Sequence, residues 1–392
     1  MQGVFQKIPQ KIPLSLAIIA IVLPFSNFLF WHKVDAWNAF GYVLQTSILV
    51  LYSFHVARKS PPLAGLFLWA GCLTQFFWFL VQTQDNQYPV MIFLPFFNFL
   101  CMVVLFDLIT QYVNKENALR ILKCLAISVY AMAIYAVLQK INCDQFYNNI
   151  DLRLKVDTVV GTLGNPMHFA HFIGMTLPVL FLFKRNIGKI AVLIALSALL
   201  FTNSASGILV AIVTLGFYSL FYRHFKTREL LLLVLFIAVF AYFKCRSINQ
   251  LIGYFLNTSG RMQAWREFFK VFRSRPITGV GLGIINQIAM VQGKALYGWR
   301  HVHNEFYHYA IELGLVGVGF IFWGIVNYFN KFKALLKDEV TVISASMFLG
   351  FLTASLFGFP SHIWLMSFVG LLGYSFLFIE GQVNENTTGN TK

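Results

Sequence analysis

Charge is what this sequence has least of. Only 11% of its 392 residues are Asp, Glu, Lys or Arg, and 58% are hydrophobic. A soluble domain carries roughly a quarter charged residues, so the shortage excludes a soluble enzyme or binding module and implies a polytopic membrane protein. Acid is scarcer still, with 15 Asp+Glu against 30 Lys+Arg. In a soluble chain that excess would suggest nucleic acid. Here much of it follows from topology, and no nucleic-acid partner is expected. The five cysteines, Cys72, Cys101, Cys124, Cys143 and Cys245, match no metal-site spacing. Three lie in apolar runs, where cysteine acts as a small hydrophobe. Cys143 and Cys245 both fall near the outer face, which leaves a disulfide between them open. There is no 20–50-residue repeat and no low-complexity segment. No cleavable signal is evident, and Lys7 and Lys11 precede a run long enough to be a retained anchor.

A spanning helix needs about 20 mostly apolar residues. The runs near 13–32, 37–56, 62–82, 89–111, 119–139, 167–183, 189–203, 206–222, 229–245, 311–329, 341–358 and 362–380 predict about twelve transmembrane helices in an all-α polytopic fold. The seventh and eighth are parted by only Thr202 to Ser206 and are the least distinct pair. Lys and Arg concentrate in alternate short loops, at Arg58 and Lys59, Lys184 and Arg185, Arg223 to Arg228, and Lys331 to Lys337. By the positive-inside rule those loops and both termini are cytoplasmic.

The expected division is therefore residues 1–245 as transmembrane helices 1–9, with a shorter outer loop at about 140–166. Residues 246–303 form a large outer loop, 304–380 the C-terminal transmembrane helices, and 381–392 a polar cytoplasmic tail. The two long outer segments break the charge pattern. The first carries Lys140, Arg153 and Lys155. The second carries Arg246, Arg261, Arg266, Lys270, Arg273, Arg275, Lys294 and Arg300 against Glu267 alone. Long translocated loops escape the positive-inside rule, so this charge serves either anionic lipid headgroups or an anionic substrate such as a lipid-linked phosphate, whose departure clustered cations would stabilise.

Within the second loop, Met262, Trp265, Phe269 and Phe272 follow helical i, i+3, i+7, i+10 spacing among basic residues. That predicts an amphipathic interfacial helix starting near Arg261, with Asn257, Thr258 or Ser259 as cap. Pro276 ends it, and Gly279, Gly281 and Gly283 permit a tight turn without forming a nucleotide fingerprint. Histidines follow at His301, His303 and His308. Histidine takes a proton near neutral pH, and His303 stands where the loop feeds a spanning helix. His301, His303, Glu305 and His308 could in number ligate a metal, but i, i+2 positions do not share a helix face, and no metal or cofactor is expected. Gly314, Gly317 and Gly319 read as small residues for close helix contact. In the first loop, Gly161 to Pro166 is a sharp turn that brings Asn165, His168 and His171 to the outer mouth, where packing or capping is the simpler reading of each. A transporter would place ionisable groups at midplane depth, and only Asp107 is close to that description.

His303-Asn304, nine residues, then Gly314-x-x-Gly317 resembles the signature of the O-antigen ligases. The runs His303-Asn304-Glu305-Phe306 and Glu312-Leu313-Gly314 are similar to the wider O-antigen ligase and polymerase superfamily. So are Ser259-Gly260-Arg261 with Trp265, Pro276 with Gly279-Val280-Gly281, and Gly161-Thr162-x-Gly164-Asn165-Pro166. The likeness covers about residues 158–330. It implies a GT-C-like bacterial inner-membrane glycosyltransferase working at the periplasmic face, independent of metal, with both termini cytoplasmic. The donor would be an undecaprenyl-pyrophosphate-linked glycan. The acceptor would be lipid A–core in a ligase or a second lipid-linked glycan in a polymerase. The resemblance makes His303 the general base and Arg261 the pyrophosphate ligand, with Arg153, Lys155, Arg266, Arg300, Asn165 and Asn304 as further substrate-binding candidates. Two features depart from the family. Ala205 stands where an arginine is common, so another cation, Arg153, Lys155 or Arg266, would serve. Val318 follows Gly317, outside the strictest ligase signature. The ten residues between Arg153 and Gly164 are similar to a polymerase pattern.

Overall fold

The computed structural model describes residues 2–22, 89–141, 143, 159–221, 261–285, 302–334 and 338–379. Among them every regular element is helical. In chain order these are α1 (Gln2–Val22), α2 (Pro89–Tyr112), α3 (Lys115–Lys140), α4 (Pro166–Thr176), α5 (Arg185–Phe201), α6 (Ala205–Phe221), α7 (Arg261–Ser274), α8 (Glu305–Ala334), α9 (Glu339–Ser355) and α10 (Trp364–Ser375). The expected spans 37–56, 62–82 and 229–245 lie outside the described residues, as does the polar tail. Cys245, and with it any pairing to Cys143, lies outside them too. Two described helices, Lys115–Lys140 and Glu305–Lys333, are long and apolar enough to cross a membrane, and seven shorter apolar helices accompany them.

Local chemistry sets the helix ends. Asn114 caps α3, its side chain accepting from Asn117 N at 2.9 Å, with Glu116 in the first turn and Lys140 in the last to complement the helix dipole. Asp338 caps α9 in the same way. The close pair 189–203 and 206–222 is resolved into two helices, α5 and α6, by a turn at Thr202–Ser204 in which Asn203 adopts φ 56°. The expected run at 167–183 is one apolar helical stretch, Pro166–Leu182, whose second part, Leu177–Leu182, tightens from α4 into a 3-10 segment. Pro178 has no N–H to continue the α-helical ladder, so the chain tightens there.

Small residues let the inner helices meet. A Cβ on Gly207 of α6 would stand 2.3 Å from the Cβ of Ala170 in α4, and one on Gly373 of α10 would stand 2.9 Å from Phe348 N in α9. The helices α4, α6, α9 and α10 form a core holding Phe169, Phe172, Phe368 and Leu365, with α1, α3 and α5 packed beside it. The outward side of α8 leaves Phe320, Phe322 and Trp323 exposed, which suits lipid and not water.

Candidate functional site

Helix α7 is described from Arg261 on, and its inward face differs from the predicted stripe. Ala264 and Phe268 are buried, whereas Met262 and Phe269 are each 49% exposed. Residues 261, 264, 265, 268 and 272 share one helical face, and that face packs on Val280, Ile284, Val302 and Ile311. Arg266 and Lys270 lie exposed with Met262 and Phe269 on the other side, and Lys270 pairs with Glu267 at 2.7 Å. The indole N–H of Trp265 donates to Val302 O at 2.6 Å, and the Tyr307 hydroxyl donates back to Trp265 O at 3.0 Å. These two bonds tie the start of α7 to the residues on either side of His303.

Arg261 is half-buried where three elements converge. Its Nη1 donates to Phe357 O at 3.0 Å, beyond the end of α9, and its Nη2 lies 3.7 Å from Met167 Sδ in the first turn of α4. Burial lowers its pKa from the usual guanidinium value, yet a guanidinium remains cationic at neutral pH. Among the described residues no carboxylate forms an ion pair with it.

His303 occupies left-handed backbone, φ 54°, immediately before α8. A bulky residue seldom adopts that conformation, and such strain concentrates at functional sites. Asn304 follows it as a cap, its Oδ1 accepting from Tyr307 N at 3.0 Å. The imidazole of His303 meets Phe359 edge-on at 4.9 Å between ring centroids, and His168 meets the same phenyl ring at 5.0 Å. Burial, then the positive fields of Arg261 and His168, pulls the His303 pKa down to about 3. The ring is therefore neutral at physiological pH and able to accept a proton.

The turn carrying Phe359 is held by residues of α8 and by its own neighbours Ser361 and His362. Glu305 Oε1 lies 3.0 Å from His362 Nδ1 and accepts from the Ser361 hydroxyl, whose oxygen is 2.6 Å from Tyr309 OH. Two turns further along α8, the buried Glu312 carboxylate accepts from Gly283 N at 2.8 Å and lies 3.2 Å from His308 Nε2. His308 and Glu305 thus serve a buried network that holds loops together. Their presence in a His- and Glu-rich run was visible in the sequence, but their partners Ser361 and His362 were not.

Three glycines put this network in place. Gly279, Gly281 and Gly283 all have positive φ, as a tight turn requires. The turn docks on α8 by backbone bonds, Val280 N to Ile311 O at 3.0 Å, Gly281 N to Glu312 O at 2.9 Å and Leu315 N to Pro276 O at 2.9 Å. α8 is broken there, with Gly314 at φ 66° and ψ −171°. Gly314 therefore admits a loop's backbone and not, as the small-residue spacing suggested, a neighbouring helix. A Cβ on Gly319 would meet nothing within 4 Å.

Of the other predicted residues, Asn165 caps α4, accepting from Met167 N at 3.0 Å and His168 N at 3.2 Å. Arg153, Lys155, Arg300 and His301 lie outside the described residues, as do the proposed caps of α7. His171 is fully buried, with Nε2 2.8 Å from Ser206 Oγ.

Among the described residues, then, the elements are helical, two helices are long and apolar enough to cross a membrane, and a half-buried cation and an imidazole converge on one turn. The family model described as O-antigen ligase matches residues 190–322, a stretch that holds both Arg261 and His303, and it supports the O-antigen ligase and polymerase superfamily. That family is typically of the inner membrane and glycosyltransferase-like, and implies lipid-linked glycan substrates. No curated protein matches the chain.

Proposed function

We propose that the protein is an O-antigen ligase that transfers a glycan from undecaprenyl pyrophosphate to a hydroxyl of lipid A–core, with inversion, at the periplasmic face of the inner membrane. The observation that carries this reading is the convergence of His303 and Arg261 on the Phe357–Phe359 turn, His303 through the Phe359 ring and Arg261 through the Phe357 carbonyl. In the reaction, His303 takes the proton of the acceptor hydroxyl as its oxygen attacks the anomeric carbon. The bond from that carbon to the pyrophosphate oxygen breaks, and Arg261 stabilises the charge that gathers on the departing group. Positioned charge and one base suffice for such a step, and no cofactor enters it.

A base held at a pKa of about 3 is weak, and the donor supplies part of the remedy. Burial is the larger cause and remains, but pyrophosphate bound at Arg261 offsets the next one, the cationic field at His303, so the base strengthens when the donor is in place. Lipopolysaccharide gel profiles of a deletion strain complemented with wild type or His303→Ala test the proposal. Core alone in the deletion and in the variant, with lipid-linked polymer accumulating, is the expected result. Core bearing a single repeat would make the protein a polymerase, and a normal ladder from His303→Ala would remove His303 as the base.

A further inference from the structure

Beside Arg261 stands a group of polar atoms that the base and its cation leave unused. His168 and His171 lie one turn apart on α4, and each has a buried Nδ1 with no hydrogen-bond partner among the described residues. The Arg261 Nε is in the same condition. Buried polar atoms in that state are uncommon and destabilising. Three of them in one place suggest that a ligand completes the set. His171 is fixed from behind by Ser206, whose hydroxyl oxygen is in turn 3.3 Å from Ser204 Oγ. His168 is less enclosed and faces the Phe359 ring that also touches His303.

The chemistry of the wall is one-sided. The residues of α4, the opening of α6 and the turn at 357–359 carry no carboxylate. Glu305 is engaged by His362 and Ser361, and Glu267 by Lys270. Met167, next to His168, lies against the Arg261 guanidinium at 3.7 Å. A guanidinium and an imidazole therefore sit side by side at the positive end of α4 with no anion to balance them. Asn165 already satisfies the first amides of that helix, so the side chains and not the backbone are the available donors.

We infer that the two phosphates of the donor are divided between Arg261 and His168, so that this pair distinguishes a polyprenyl diphosphate from a polyprenyl monophosphate. The inference rests on the donor assignment above. It gives His168 a substrate-binding role, with His171 and Ser206 as the backing that orients α4's first turn. It also accounts for the chain's tolerance of Ala205, because a donor on α4 does the work of a cation on α6.

The test uses the full-length protein in detergent micelles, with farnesyl diphosphate and farnesyl monophosphate as probes in titration calorimetry. Wild type is expected to prefer the diphosphate by about tenfold or more, the worth of one hydrogen bond to a charged group. His168→Ala should erase most of that preference by weakening the diphosphate while leaving the monophosphate within about twofold. His168→Gln, which keeps an N–H donor, should recover part of it, and Arg261→Ala should weaken both probes. A full preference in His168→Ala, or equal losses for both probes, overturns the division of phosphates while leaving the donor assignment standing. Wild type that binds neither probe, or binding indifferent to Arg261→Ala, overturns the donor assignment itself and this inference with it.

Discussion

Gly279 and Gly314 meet backbone to backbone. A Cβ on Gly279 would lie 2.5 Å from Gly314 N, and one on Gly314 would lie 2.5 Å from Gly279 N and 2.2 Å from Ile277 O. Both residues have positive φ, so any side chain adds strain as well as collision. Gly314→Ala should cost more than about 3 kcal/mol and reduce the folded fraction. Gly319→Ala, on the same helix but facing open space, should be neutral or stabilising by up to about 1 kcal/mol. Thermal unfolding of both variants in detergent measures the contrast, and equal melting temperatures would contradict it.

Burial, and after it Arg261, lowers the pKa of His303, and a base whose pKa is depressed stays unprotonated to lower pH. The acid limb of kcat/KM, which reports the free enzyme, should therefore fall far below 6.5, toward about 3. If the donor is the proposed diphosphate, the limb of kcat should lie higher, because the bound anion offsets the cationic part of the shift. Arg261→Gln removes one of the lowering influences, so its kcat/KM limb should move up in pH while the rate falls by roughly 10²–10³. A limb that stays where it is in the variant would separate the two residues.

Glu305 is a buried carboxylate whose charge is met by His362 at 3.0 Å. His362→Ala strands it, and the expected loss of stability is about 3 kcal/mol. Adding Glu305→Leu removes the stranded charge, so the double variant should be less damaged than the two single losses predict together. Additive losses would mean the two groups do not act as a pair.

Trp265→Phe removes the N–H that holds Val302 O at 2.6 Å. One neutral bond is worth about 1 kcal/mol of stability. Val302 precedes His303, so the fall in kcat should exceed what that stability loss explains, with KM for the donor little changed. A proportional loss in KM would place the effect on binding instead.

How much of this was legible beforehand depended on the range of the interaction. Apolar runs marked α3 through α6 and α8 through α10, and Pro276 and the glycines after it marked the end of α7 and the turn. The sequence also pointed to His303 as the residue at the mouth of a helix. What could not be read were meetings between loops, which obey no period. Phe359 is 56 residues from His303 along the chain, and nothing in an aromatic next to a proline says which histidines it will touch. Phe268 was overlooked because the stripe through Met262 and Phe269 looked equally apolar, and only the loop packed against α7 decides between the two faces. The break at Gly314 is hidden in the sequence because a broken helix and a small-residue helix have the same spacing of glycines.

Arg261's hold on Phe357 and Met167 bears on modularity. The matched stretch ends at residue 322, so it includes His303 and Arg261 but leaves out both of the guanidinium's anchors and the phenyl ring that joins the imidazoles. That stretch is therefore not a portable cassette. Transplanting it into a related membrane scaffold would carry the motif without its geometry, unless the start of α4 and the segment 357–362 travelled with it. Chimeras that exchange substrate preference should be cut outside those segments.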